Sequence, residues 1–365
     1  MTPGNVVLAA TRAEAPGAAL PMAGLTVIGR ALKQLGQSPE KRVVVASDGT
    51  IALPAPLPAN TELRTVADGA AAAEIARALG APLVGADVVR LDRTRFEGLR
   101  VVDEPSRRAA EDAVFAALYR ADLGFVARRL NKPISVRLTR HVLARSAVTP
   151  NQITLFAAAL GIIGCALMAT GRYLWVLLGL ALEHTQSVLD GCDGELARVR
   201  FQQSKLGAWL DTFVDDVLNV LMTASAGIGL WRAGVGTWAL AVGLGGAAML
   251  VLSNLIVMRD MRRQKATGDL MDMVWWFSGG RKLGESTATQ GKPGLGTFLF
   301  GLGRRDAAIF LWLIFALLNQ LVLVLIMAAI IALSWFVASV IQLVVRPAPA
   351  RSRPSAAGSG PIDAG

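Results

Sequence analysis

Four aspartates, Asp190, Asp193, Asp211 and Asp215, stand in the apolar half of this 365-residue chain at spacings that suit helical geometry. Asp190 and Asp193 lie three apart with Ala197 four further on, so they share one helical face, while Gly207, Asp211 and Asp215 recur every fourth residue on another. Two such helices facing each other would converge four carboxylates on one point. That many like charges cannot all stay ionised unless cations neutralise them. An all-aspartate donor set suits hard divalent ions, Mg2+ or Mn2+. Gly191, Gly194 and Gly207, with Ala197 and Ala208, leave room for close helix approach or for a ligand to reach the backbone. Arg198, Arg200 and Lys205 could hold a phosphate beside them, and carboxylate-bound metals next to such cations point to transfer at a pyrophosphate.

The elements that must position these acids read as membrane helices. The chain is 53% hydrophobic and only 18% charged, too apolar for a typical soluble protein. Beyond Pro150 six apolar segments, 153–170, 173–189, 206–230, 237–257, 307–318 and 321–344, are expected to cross the bilayer. Carboxylates in such surroundings are costly, which marks them as functional. Lys and Arg cluster in 198–205 and 259–305, against little more than Arg172 and Arg232 on the other side. This predicts a multi-pass protein of the cytoplasmic (inner) membrane, with both termini and the aspartates facing the cytoplasm. The excess of 37 basic over 27 acidic residues, a formal +10, is then mainly topological and argues against a nucleic-acid partner.

The expected fold is multi-domain: a soluble α/β domain followed by an all-α bundle of six transmembrane helices. Residues 1–130 alternate short apolar runs (6–10, 43–47, 82–86) with amphipathic stretches (22–35, 70–79, 106–120), and Asp48-Gly49 and Gly80-Ala81-Pro82 mark turns. Residues 131–148 form a basic amphipathic helix suited to the membrane surface. Thr149 as N-cap and Pro150 at the first helical position open the transmembrane domain, 149–345. The apolar run 271–277 (MDMVWWF) suits the interface, and 346–365 reads as a disordered tail. Cys165 and Cys192 are too far apart in sequence to suggest a disulfide framework, and the N-terminus does not read as a cleaved signal peptide.

The run Asp190-x2-Asp193-Gly194-x2-Ala197-Arg198-x8-Gly207-x3-Asp211-x3-Asp215 matches in full the signature of the CDP-alcohol phosphatidyltransferase family. The chain resembles that family over about 149–345, including Thr149-Pro150-Asn151-Gln152-Ile153-Thr154 at the first span. The resemblance implies a six-helix fold in which Asp190, Asp193 and Asp211 bind two divalent cations holding the CDP diphosphate. It places Asp215 near both metal and acceptor, as general base, and puts Gly194, Ala197, Arg198 and Gly207 with Asp190 and Asp193 at the CDP. It implies attack of an acceptor hydroxyl on the phosphorus bearing the CDP alcohol, release of CMP, and a homodimer in the bilayer. CDP-diacylglycerol or CDP-inositol would be the donor, and inositol, inositol phosphate or glycerol phosphate the acceptor, in phospholipid or phosphodiester biosynthesis.

Leu189 to Glu195 (LDGCDGE), a fused front domain and Arg304-Arg305-Asp306 resemble enzymes that join inositol phosphate groups behind a cytidylyltransferase domain. Arg259, Arg262, Arg263, Arg304 and Arg305 are therefore candidates for an anionic acceptor pocket. Two departures cut against this. Asp216 stands where relatives often carry Arg or Lys, which disfavours a phosphorylated acceptor. Residues 22–32 and 43–47 resemble a nucleotidyltransferase core, but 8–15 (LAATRAEA) lacks the glycines that cradle a triphosphate, so the front domain is expected to be inactive. Glu183, Gln186 and Asn219 could support the site, whereas His184 reads as packing. A transporter would scatter its acids among helices, and an inactive scaffold would not need the whole motif.

Overall fold

The computed structural model describes residues 6–36 except 12 and 14, 43–119 except 80, 87 and 90–98, 125–264, 273–278 and 305–345. They fall into two compact units, 1–155 with 187–203 and 156–186 with 204–365.

The first unit is built on a parallel sheet of β1 (Val6–Ala10), β4 (Val43–Ser47), β5 (Thr61–Thr65) and β6 (Leu83–Gly85), in the order β5-β4-β1-β6. Register runs from Val6 opposite Val43 to Ala10 opposite Ser47. The two central strands, VVLAA and VVVAS, are buried throughout, because parallel strands covered on both faces need apolar side chains at every position. Alternation divides them. Val6, Leu8, Val43 and Val45 pack on Ile28, Leu32 and Leu35 of α1 (Val27–Gly36), and Val7, Ala9, Val44 and Ala46 on Ala72 and Ala76 of α2 (Gly69–Ala78). Asp68 caps α2 by accepting from the Ala71 N–H at 2.9 Å.

Residues 22–35 were expected to be one helix, but the first part pairs instead. β2 (Pro21–Met22) and β3 (Leu25–Thr26) form a hairpin, turned at Ala23 and Gly24, both with positive φ (49° and 80°), and the helix starts only at Val27. β7 (Val88–Val89) and β8 (Leu99–Arg100) form a second antiparallel pair. α3 (Glu104–Ala116) opens with a reciprocal cap between Asp103 and Ser106. α4 (Lys132–His141) then precedes the apolar helices, within the stretch read as interfacial.

Six helices follow: α5 (Pro150–Met168), α6 (Tyr173–Arg200), α7 (Lys205–Arg232), α8 (Thr237–Gln264), α9 (Arg305–Leu317) and α10 (Leu321–Val345). Each coincides with an expected span. Among the described residues, however, only α5, α7, α8 and α10 are long and apolar enough to cross a membrane. Glu183, His184, Gln186 and Asp190 interrupt the apolar run of α6, and the 13 residues of α9 reach only about 20 Å against a hydrocarbon core of about 30 Å. The chain is thus a multi-pass membrane protein with four candidate spans. In the second unit, Ile162, Ile163, Leu174, Leu252, Leu255 and Ile330 are exposed, as lipid-facing positions require. Glycines bring its helices close: a Cβ on Gly227 of α7 would lie 2.6 Å from the Gly243 Cα of α8.

Candidate active site

Asp190 and Asp193 lie near the C-terminal end of α6, and Asp211 and Asp215 in the first half of α7, so the motif occupies two consecutive helices. Within the first unit Asp193 is buried, and it accepts from the Thr154 hydroxyl of α5 and from the Gly194 N–H. Thr154 is itself buried, and its hydroxyl oxygen also lies 3.2 Å from the Pro150 carbonyl one turn earlier. Any side chain on Gly194 would meet the Arg198 guanidinium, 3.3 Å from the position of its Cβ. Gly194 therefore leaves Arg198 the space beside the acids.

Arg200, the second cation of the sequence reading, has another task. It is buried and donates to the carbonyls of Leu143 (2.9 Å), Ser146 and Val148 (2.7 Å), tying the end of α6 to the α4–α5 connection. The front domain reaches the same helix end. Lys33 Nζ of α1 donates to the Arg200 carbonyl at 3.4 Å, and the Arg30 guanidinium lies 5.4 Å from the centre of the Phe201 ring. Burial lowers Arg30 from its ordinary value to about 10, although Glu111 opposes the shift.

In the second unit, Ser204 caps α7 by accepting from the Gly207 N–H at 2.9 Å. Nearly three turns into the helix, Asp215 is paired with Arg305 at the start of α9. Arg305 Nη2 donates at 2.9 Å to Gln186 Oε1 of α6, so Asp215, Arg305 and Gln186 form one bonded group. Three turns of α6 therefore carry buried polar groups. One turn before Gln186, the buried Glu183 accepts from the Cys165 thiol at 3.1 Å.

The other acceptor candidates lie elsewhere. Arg259, Arg262 and Arg263 are exposed on the last turn and a half of α8. Arg263 pairs with the buried Asp260 at 2.6 Å, which also accepts from Gln264 (2.7 Å) and Gln342 (2.5 Å). Gln264 and Gln342 in turn hold the segment 273–278, through Val274 and Trp276. Arg304 and residues 271–272 and 346–365 lie outside the described residues. His184 packs on Phe310 with ring centres 5.8 Å apart, as a packing histidine would. Both cysteines are free and buried.

Sequence reasoning missed Glu195. It sits inside the motif, is fully buried, and accepts from three side chains of α4. Its one sequence signal is an acid three residues past Cys192, on the side of α6 away from Asp190 and Asp193.

A family model for CDP-alcohol phosphatidyltransferases matches residues 147–290, which takes in α5, both motif helices and α8. The chain carries a CDP-alcohol phosphatidyltransferase domain. Among curated proteins this region is 33% identical over 141 residues to a bifunctional IPC transferase and DIPP synthase of Archaeoglobus fulgidus, covering 38% of this chain and 28% of that one. The protein of the same name from Thermococcus kodakarensis is 39% identical over 116 residues, 31% of this chain and 26% of that one. The inner membrane protein YnjF of Escherichia coli is 34% identical over 91 residues, 25% of this chain and 42% of that one. The chain thus spans less than a third of the length of the two bifunctional relatives.

Proposed function

We propose that the chain transfers a substituted phosphate group from a CDP-linked donor to the hydroxyl of an alcohol acceptor, releasing CMP. The observation that carries this is the complete aspartate motif on α6 and α7, inside the matched CDP-alcohol phosphatidyltransferase domain. On this reading Asp190, Asp193 and Asp211 would hold two divalent cations, and Asp215 would serve as the general base. Three aspartates make a donor set of hard oxygens, which suits Mg2+ or Mn2+ better than a soft metal. The family's general dependence on divalent metals agrees. When bound, the cations neutralise the diphosphate and stabilise charge on the departing CMP.

The chain's own residues then have distinct tasks. Arg198 contributes positive charge to the nucleotide phosphates, and Gly194, Ala197 and Gly207 let the nucleotide approach the backbone. Asp215 takes the proton of the acceptor hydroxyl. The acceptor oxygen bonds to the phosphorus carrying the donor alcohol, the bond from that phosphorus to the bridging oxygen breaks, and CMP leaves with the electron pair. Arg305, bonded to Asp215, keeps a cation where an acceptor would bind and favours one bearing negative charge. On this reading CDP-inositol or CDP-diacylglycerol is the donor, and inositol, inositol phosphate or glycerol phosphate the acceptor; that the bifunctional relatives are named for a transferase and a synthase supports the general reaction.

The same reading takes 1–130 as a front domain without nucleotidyltransferase activity, 131–148 as interfacial, 149–345 as the catalytic membrane domain, and the active enzyme as a homodimer with its site facing the cytoplasm. Incubating purified protein with Mg2+ or Mn2+, each donor and a panel of these acceptors should release CMP with at least one pair. Failure to release CMP with any pair would refute the enzyme reading.

A further inference from the structure

Glu195 takes no part in the chemistry proposed above, yet it is among the most heavily bonded acids of the first unit. Its Oε1 accepts from Lys132 Nζ at 2.7 Å and from the Ser135 hydroxyl at 2.5 Å, and its Oε2 accepts from the Thr139 hydroxyl at 2.8 Å. Lys132, Ser135 and Thr139 are buried, and they fall at i, i+3 and i+7 on one stripe of α4. The facing stripe of α6 is Cys192, Glu195 and Val199: Cys192 Sγ donates to the Ser135 carbonyl at 3.6 Å, and Val199 packs in the apolar cluster that includes Val136.

Withdrawing a carboxylate and an ammonium from water costs several kcal/mol each, and a well-packed apolar pair would stabilise such an interface as well or better. The charges call for another reason. At 3.6 residues per turn, Cys192, Glu195 and Val199 lie on the side of α6 opposite Asp190, Asp193 and Ala197. A rotation of α6 by about 20° would carry a side-chain oxygen, about 5–6 Å from the axis, through about 2 Å. Metal ligation tolerates about 0.2 Å. An apolar stripe lets a helix settle at neighbouring rotations, whereas three donors converging on one carboxylate do not.

We infer that Glu195, held by Lys132, Ser135 and Thr139, is a positioning residue that fixes the rotation of α6 so that Asp190 and Asp193 are presented to the divalent cations. The inference rests on the metal-dependent reading of the motif. It also gives α4 a role, as the rail against which the motif helix is set.

The test compares full-length protein with E195Q, E195L and the pair K132L/E195L, each by Mn2+ binding followed by electron paramagnetic resonance, CMP release and thermal unfolding. E195Q should bind Mn2+ about 10- to 100-fold more weakly and lose kcat by a similar factor, while KM for the donor stays near the wild-type value. E195L leaves Lys132 buried and unpaired and should unfold at lower temperature. K132L/E195L should regain the wild-type thermal midpoint and still show weakened Mn2+ binding and low kcat. Wild-type Mn2+ affinity and kcat in the stable double variant would overturn the inference, because Glu195 would then only be structural. If wild-type protein binds Mn2+ but releases no CMP with any donor and acceptor, the proposed function falls and the Mn2+ titrations still decide the role of Glu195. Wild-type protein that binds no Mn2+ overturns both.

Discussion

Replacing Thr154 by Val would test the metal site with little change in shape. The two side chains are nearly the same size, and Thr154 is buried, so Val keeps the packing and removes the hydroxyl that donates to Asp193. A hydrogen bond to a charged group contributes about 1.5–3 kcal/mol net, and about 1.4 kcal/mol corresponds to a tenfold change in an equilibrium constant. If that bond holds Asp193 in the orientation a cation needs, T154V should weaken Mn2+ binding by about 10- to 100-fold. Little should happen to the fold, because the Pro150 carbonyl beside the Thr154 hydroxyl already has the helix backbone as its partner. The assay is a Mn2+ titration in detergent, followed by paramagnetic resonance, beside CMP release over the same metal range. Activity should be depressed at low Mn2+ and recover as the metal is raised. T154S restores the hydroxyl and should stay near wild type. Unchanged Mn2+ affinity in T154V, with the thermal midpoint also unchanged, would show that Asp193 does not need Thr154 and would refute the orientation argument.

Asp215→Asn should abolish CMP release while leaving CDP binding, measured by calorimetry, largely intact; full activity would remove Asp215 from the base role. Arg305→Gln should raise KM for an anionic acceptor far more than for a neutral one, and an equal effect on both would argue that Arg305 serves Asp215 alone. Gly227→Val forces a side chain against α8, where a Cβ already lies 2.6 Å from the Gly243 Cα, so overpacking of about 1–3 kcal/mol should lower the thermal midpoint. The start of α3 should respond to acid. Hydrogen bonds from Arg107 and Arg108 lower the Glu104 carboxyl from 4.5 to about 2, and bonds from Ser106 lower Asp103. A depressed carboxyl stabilises the folded state above its unfolded value, and that stabilisation is lost as pH falls from about 4.5 through about 2. Protection of the amides in residues 104–108, taken relative to their intrinsic exchange at each pH, should fall over that window, and unchanged protection would remove these bonds from the helix start.

What the sequence revealed depended on how local each signal was. β1 and β4 were legible because a parallel strand buried on both faces is a nearly continuous apolar run, and α5, α7, α8 and α10 because each holds a long apolar stretch. β5 (TELRT) is an edge strand with exposed Leu63, Arg64 and Thr65, and its composition does not separate it from a loop. The β2–β3 hairpin escaped because its turn uses Ala23 at positive φ, which nothing in the residue type announces. The partners of Glu195 lie 56 to 63 residues earlier, and Arg305 is 90 residues from Asp215, so no spacing rule could pair them.

Hydropathy and chemistry give opposite readings of α6, and the conflict is informative. Glu183, Gln186, Asp190 and Asp193 keep the helix from counting as an apolar span, and three of them are held by partners that lipid would not supply: Cys165 for Glu183, Arg305 for Gln186 and Thr154 for Asp193. Polar groups at that depth are stable only where other protein groups satisfy them. A helix that carries such groups must therefore be wrapped by its neighbours rather than by lipid, and small residues let those neighbours come close. A Cβ on Gly164 would come within 2.8 Å of the Gly179 carbonyl, and one on Gly161 within 2.8 Å of Leu218. Larger residues at 161 or 164 should thus lower the thermal midpoint, by pushing α5 off Leu218 of α7 in the first case and off Gly179 of α6 in the second.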